Sequence, residues 1–171
     1  QALARFCLCG LGAHRIEVET VDGQKMFVVR ANALAGIEVQ EEYARYGGDA
    51  YFDANWRPVK IVDEGYTARY DGPIGKPVVF HPGDPRWEEA KFRFRSSLSV
   101  LVTLVDHLYG SHMQTSNVLV TSVRENFQPD HPVRRFLTPF TFQTITVNHS
   151  ARQNLVNPKS MSGRCFAFTQ A

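Results

Sequence analysis

No apolar run in this chain reaches the roughly 20 residues that a membrane-spanning helix needs. The N-terminal stretch Ala2 to Ala13 is interrupted by Arg5 and two glycines, so no transmembrane segment is expected. Charge of one sign is also scarce. Nineteen Lys and Arg face 17 Asp and Glu, for a net charge of +2, too little to argue for a nucleic-acid or anionic-membrane partner. Cysteine is rare and odd in number. Cys7, Cys9 and Cys165 cannot all pair within one chain, which argues against a disulfide framework. The Cys-x-Cys at 7 and 9 lacks the second pair that a zinc site would need, leaving free or buried thiols. There are no internal repeats and no low-complexity tracts.

What is present fits a folded globular chain. Its 171 residues are enough for one hydrophobic core. Hydrophobic residues make up 43% and charged residues 21%, ordinary values for such a protein. Phe is abundant, with 12 copies. That suits a packed core first and an apolar ligand cleft second. The first residue is Gln rather than Met, so the expectation is either that something upstream is removed or that this is a piece of a longer chain.

The first half reads as β-rich and irregular. Ile16 and Val18 alternate with charged neighbours, which is strand periodicity. Val21-Asp22-Gly23-Gln24 supplies a turn before a second apolar run, Met26 to Arg30, and Asp-Gly favours a hairpin. A second strand pair is expected at Ala50 to Asp53 and Val59 to Val62. Leu34 to Tyr46 is read as possible helix, on poor apolar spacing. Residues 71–85 are expected to be loop, because Gly72, Pro73, Gly75, Pro77, Pro82, Gly83 and Pro85 discourage regular structure.

The second half opens with a strong helix signal. Asp84 is placed to cap free amides, and Pro85 suits the first helical position. Trp87, Ala90, Phe94, Leu98, Leu101, Val105 and Leu108 then recur at three- and four-residue steps as one apolar stripe. The helix is expected to pass Gly110 and run toward Val123. Pro129 and Pro132 force a break, after which short helices should cover Val133 to Leu137 and Thr141 to Val156. The chain therefore divides into a β-rich, irregular segment, 1–83, and a helical segment, 84–171, expected to form one structural unit. The fold class is mainly α with a small β-rich N-terminal half.

Within the long helix, His107 and His112 stand five residues apart. A regular α-helix turns about 100° per residue, so five steps leave the rings about 140° apart. They could not share a small ion. A π-bulge would bring positions i and i+5 toward one face, and Gly110-Ser111 between them has modest helix preference. Taken alone, the pair reads more simply as one ring in the core and one at the surface. Asp106 and Glu125 are nearby carboxylates, but spacing places neither to complete a two-His, one-carboxylate iron site.

The surrounding pattern resembles the lipoxygenase family. Trp87-Glu88-Glu89-Ala90-Lys91 is similar to the Trp-x-x-Ala-Lys signature that begins that family's long central helix. There the first iron histidine lies twenty residues after the Trp and the second five further, as His107 and His112 do here. Downstream, His131-Pro132, Leu137, Pro139, Thr144, Val147-Asn148, Ala151-Arg152 and Leu155-Val156 resemble a family series in the same order. The likeness is strong over Trp87 to Val156 and weak over Ala50 to Tyr70. Residues 1–45 carry nothing diagnostic. The resemblance implies a partial lipoxygenase-like helical domain built on one long central helix. It also implies non-haem iron held in part by His107 and His112, and iron-dependent dioxygenation of polyunsaturated fatty acids. His131 is expected to open a helix with Pro132, and neither His131 nor His149 is expected to bind metal.

The pattern also departs from the family. Val102-Thr103 stands where a His-Gln pair is usual, and one residue is inserted near Asn126 to Asp130. No His follows His149, and the chain does not end in the family's Ile. The iron site is thus incomplete as written, with no complete catalytic set in this chain alone. Three readings stay open: a fragment of a full iron dioxygenase, an inactive accessory subunit of a larger assembly, or a chain that completes a metal site with another subunit. Each implies a protein partner or the remainder of the domain. A fatty acid is implied only if the site is active.

Overall fold

The computed structural model describes residues 2–157 and 159–169. Gln1 and Ala171, on which the reading of the chain ends rests, lie outside them. The chain forms two compact units. One runs to Val102 and includes Ala167–Thr169, and the other is Thr103–Phe166.

The first unit opens with α1, Ala2–Leu8. A five-stranded antiparallel meander follows: β1 Ile16–Val21, β2 Gln24–Arg30, β3 Asp49–Phe52, β4 Pro58–Asp63 and β5 Val78–Phe80, in that spatial order. The expected first hairpin is present, pairing Ile16 with Val29 through to Val21 with Gln24. Its two turn residues, Asp22 and Gly23, have φ of 51° and 76°. These are the positive angles of a primed turn, which matches the twist of the strands. The second pair also forms, joined by residues 53–57. There the Asp53 carboxylate accepts hydrogen bonds from the Asn55 and Arg57 amides, and Trp56 stacks on Phe27 with centroids 4.3 Å apart.

Helix α2, Trp87–Val100, contacts β4. Ala90, Phe94 and Leu98 are fully buried with Val28, Val29, Ala50, Phe52 and Ile61. At Gly12 an added Cβ would lie 3.1 Å from both Cys7 Cα and Leu98 Cδ2, so a side chain there would press on both neighbours.

Three expectations are corrected in this unit. Residues 71–85 are not all loop, because β5 lies among them. It is an edge strand flanked by Pro77 and Pro82, a place where missing amides cost little. Leu34 to Tyr46 is not helical beyond the short 3-10 turn Asn32–Leu34. Its backbone is satisfied elsewhere: Gln40 N donates to Ala167 O, and Val39 N donates to Tyr70 O. Buried Arg45 donates to the carbonyls of Arg69, Gly72 and Ala35. Asp84 does not cap α2. Its carboxylate accepts from the His81 amide at 2.6 Å, closing the preceding turn, and the helix starts three residues later.

The helical run continues through a π-helical segment, Leu101–Ser116, into α3, Asn117–Asn126. After the break come α4 Pro132–Thr141, α5 Thr144–Asn154 and α6 Met161–Cys165. Helix α4 extends past the expected Leu137 and carries Pro139 within it. His131 opens it as expected: its Nδ1 accepts from the Val133 amide at 3.2 Å, and its ring stacks on Phe127. The apolar stripe holds from Trp87 to Leu101 and again at Leu108. Val105 is a correction, being 41% exposed. The stripe was drawn on 3.6 residues per turn, and that period ends at Leu101.

Candidate metal centre

The two histidines lie inside the π-helical segment, and side-chain bonds report its period. In α2 and α4, Ser97 and Thr138 donate their hydroxyls to carbonyls four residues back, Arg93 O and Arg134 O. Between 106 and 116 the step becomes five. Ser111 donates to Asp106 O, Thr115 to Gly110 O and Ser116 to Ser111 O, at 3.0, 2.8 and 2.7 Å. Gln114 Nε2 likewise reaches the Tyr109 hydroxyl five residues back. A wider turn places i and i+5 in register. Gly110 suits the segment, since a Cβ there would sit 3.3 Å from Val105 O.

The consequence is that His107 and His112 face one another. Their ring centroids are 4.6 Å apart with planes at 81°. An α-helix would have turned them apart. The change of period covers 16 residues, much more than a local bulge at Gly110-Ser111.

Both rings line a cavity of about 260 Å³ within the second unit. Its other walls are largely apolar, with Leu104 and Leu108 from the π segment, Val147 and Leu155 after it, and Phe166. His107 is exposed and His112 half-buried. Asn148 of α5 is 4% exposed and also lines the cavity. Its Nδ2 donates to His112 O and, at 2.9 Å, to Asn117 Oδ1. The Asn117 amide in turn donates to Met113 O. Asn148 therefore holds the backbone of the second histidine to α5. Spacing along the long helix could not disclose this link, because Asn148 is 36 residues away.

Ser162 also lines the cavity, and its buried hydroxyl has no hydrogen-bond partner. Of the other histidines, His131 is used as a helix cap and His149 is exposed.

Neutral imidazole is a good donor for non-haem iron, so two rings at one cavity wall fit part of an iron ligand set. Among the described residues, no group of three or more His, Cys, Asp or Glu gathers to hold a metal. The fit is to two ligands.

A family model described as Lipoxygenase matches residues 77–170, more than half of the chain. The chain belongs to the lipoxygenase family. Among curated proteins it is similar to the mouse polyunsaturated fatty acid (12S)/(13S)-lipoxygenase, epidermal-type. Identity is 35% over 83 residues, which cover 47% of this chain and 12% of the relative. The rat protein of the same name is 34% identical over 83 residues, with the same coverage. The matched stretch thus spans about an eighth of the length of these relatives. The family-model match, 77–170, begins before α2 and takes in the π-helical segment and the helices that follow.

Proposed function

We propose that this chain carries the two-histidine part of a lipoxygenase iron centre, with His107 and His112 as ligands, and serves dioxygenation of polyunsaturated fatty acids once the site is completed. The observation that carries the reading is the facing pair, 4.6 Å apart, on the π-helical segment Leu101–Ser116. Such π segments are frequent at functional sites. When bound, non-haem iron supplies the redox chemistry that the family uses on a pentadiene and dioxygen. The chain's own part is to hold two imidazoles at one cavity, with Asn148 fixing the backbone at His112 and largely apolar side chains lining the rest of it.

The remaining ligands would come from other residues of a longer domain or from a partner. Support comes from the second unit's surface, where Phe136, Phe140 and Phe142 are each about 70% exposed. Side chains of that size are normally covered when they lie near one another. The accessory-subunit reading rests on the same faces, and iron separates the two.

The test is elemental analysis for iron on the native protein, with intact mass to fix its length. Stoichiometric iron that is lost in both His107→Ala and His112→Ala is expected. Iron retained in both variants would overturn the ligand assignment. Iron-free native protein would turn the reading to the accessory subunit.

A further inference from the structure

We propose that the second unit also carries an oxyanion site, apart from the histidine cavity, where α3, α4 and α5 meet. Its ligand class is a carboxylate or phosphate group. A cavity of about 350 Å³ lies there, lined by Arg124 of α3 and Arg134 of α4, and no Asp or Glu lines it. The Arg124 side chain makes no hydrogen bond or ion pair with any described residue. Arg134 gives Nη1 to Phe127 O at 2.7 Å, leaving most of its five N–H donors unused. Two guanidinium groups on one cavity without a counter-charge repel each other, and an anion between them removes the repulsion. Guanidinium also matches the planar oxygen pairs of carboxylate and phosphate with two parallel bonds.

The rest of the lining agrees with this charge. Gln143 and Thr146 line the cavity with an amide and a hydroxyl that have no partner among the described residues. Thr138 and Thr141 spend their hydroxyl protons on Arg134 O and Leu137 O, so they add no donor. Gln143 holds φ of 56°, a left-handed conformation that a residue with a side chain adopts at a cost and that clusters at ligand sites. Across 103–166, six Lys and Arg oppose three Asp and Glu, so the local field favours an anion. Buried Val120 and Val123 form an apolar wall, and the volume exceeds that of a single anion. The shared chemistry therefore has two sources, a free phosphate-type ion or the carboxylate end of a short amphiphile.

The experiment is a titration of the whole chain, at low ionic strength, with inorganic phosphate, acetate and hexanoate, read by arginine Nε resonances. Saturable shifts at Arg124 and Arg134 are expected, with affinity falling as salt rises. Arg124→Gln should weaken binding by about tenfold or more, the scale of one charge-assisted pair. This exposed side chain has no partner among the described residues, so the variant should keep native thermal unfolding. Arg134→Lys, which keeps the charge and loses the fork, should fall between the two. Tighter hexanoate than acetate identifies an amphiphile, and phosphate tightest identifies a free ion. Non-saturating shifts with all three probes, or unchanged affinity in Arg124→Gln, would overturn the proposal.

Discussion

The two units of this chain differ in where they keep their apolar side chains. In the first, Phe52, Phe94, Ile61, Leu98, Val28 and Val29 are all below 2% exposed. In the second, the buried apolar residues among those described are Leu108, Val120 and Val123, while Phe136, Phe140, Phe142 and Val118 are each more than 60% exposed. A sheet with one helix on it can close a core by itself. Several short helices with outward Phe side chains leave much of their apolar surface open. The histidine pair belongs to the second kind of region. The difference teaches that the stable part of the chain and its chemically suggestive part are held by different means.

The contrast can be broken most directly in the two sets of Phe. Phe94→Ala should cost about 3–5 kcal/mol, the usual loss for a buried Phe, whereas Phe136→Ala should stay within about 0.5 kcal/mol, as at an open surface. Urea unfolding of both variants measures this, and similar losses would erase the distinction. A second test uses Cys7, which burial in the first unit pushes up from 9.0 to about 12. The folded state then holds the thiol proton more tightly than the unfolded state does. The stability this contributes is complete below pH 9 and is lost as pH rises from about 9 toward 12, by about 1.4 kcal/mol per unit. The difference in unfolding free energy between Cys7→Ala and the parent should follow that slope, and a flat difference would contradict it. The smallest loss from a removed contact belongs to the second unit. His131→Ala should cost about 1 kcal/mol by removing the cap of α4, with faster amide exchange at Val133. His131→Asn, which restores an acceptor, should recover most of it.

Much of the first unit was legible because its signals are local. Asp22-Gly23 fixes a turn through its own backbone angles, and the strands beside it alternate. The fate of Leu34 to Tyr46 was not local, since its hydrogen bonds end on Ala167 and on the Arg45 guanidinium network. Strand β5 was hidden by prolines that an edge position tolerates. In the long helix, Trp87 to Leu101 follows the α period and reads correctly. Beyond it the period changes, so Val105 was placed on the wrong face while His107 and His112 were brought together. The hydroxyls of Ser111, Thr115 and Ser116 satisfy carbonyls of that wider turn. Hydroxyl residues have many other uses, so they did not announce it. Asn148 stood in the family-like series without a role, and only the fold joined it to His112.

The five-residue spacing of the histidines and the wide turn beneath them form a single property. Neither can change alone. Loss of one residue between His107 and His112 would leave four, which suits an ordinary α-helix and opposes the π period of the whole segment. Gain of one would rotate the second ring by about 100° in a regular helix. A change of length between the two rings therefore disturbs the pair more than a change of side chain around them does, because only the length sets which positions face one another.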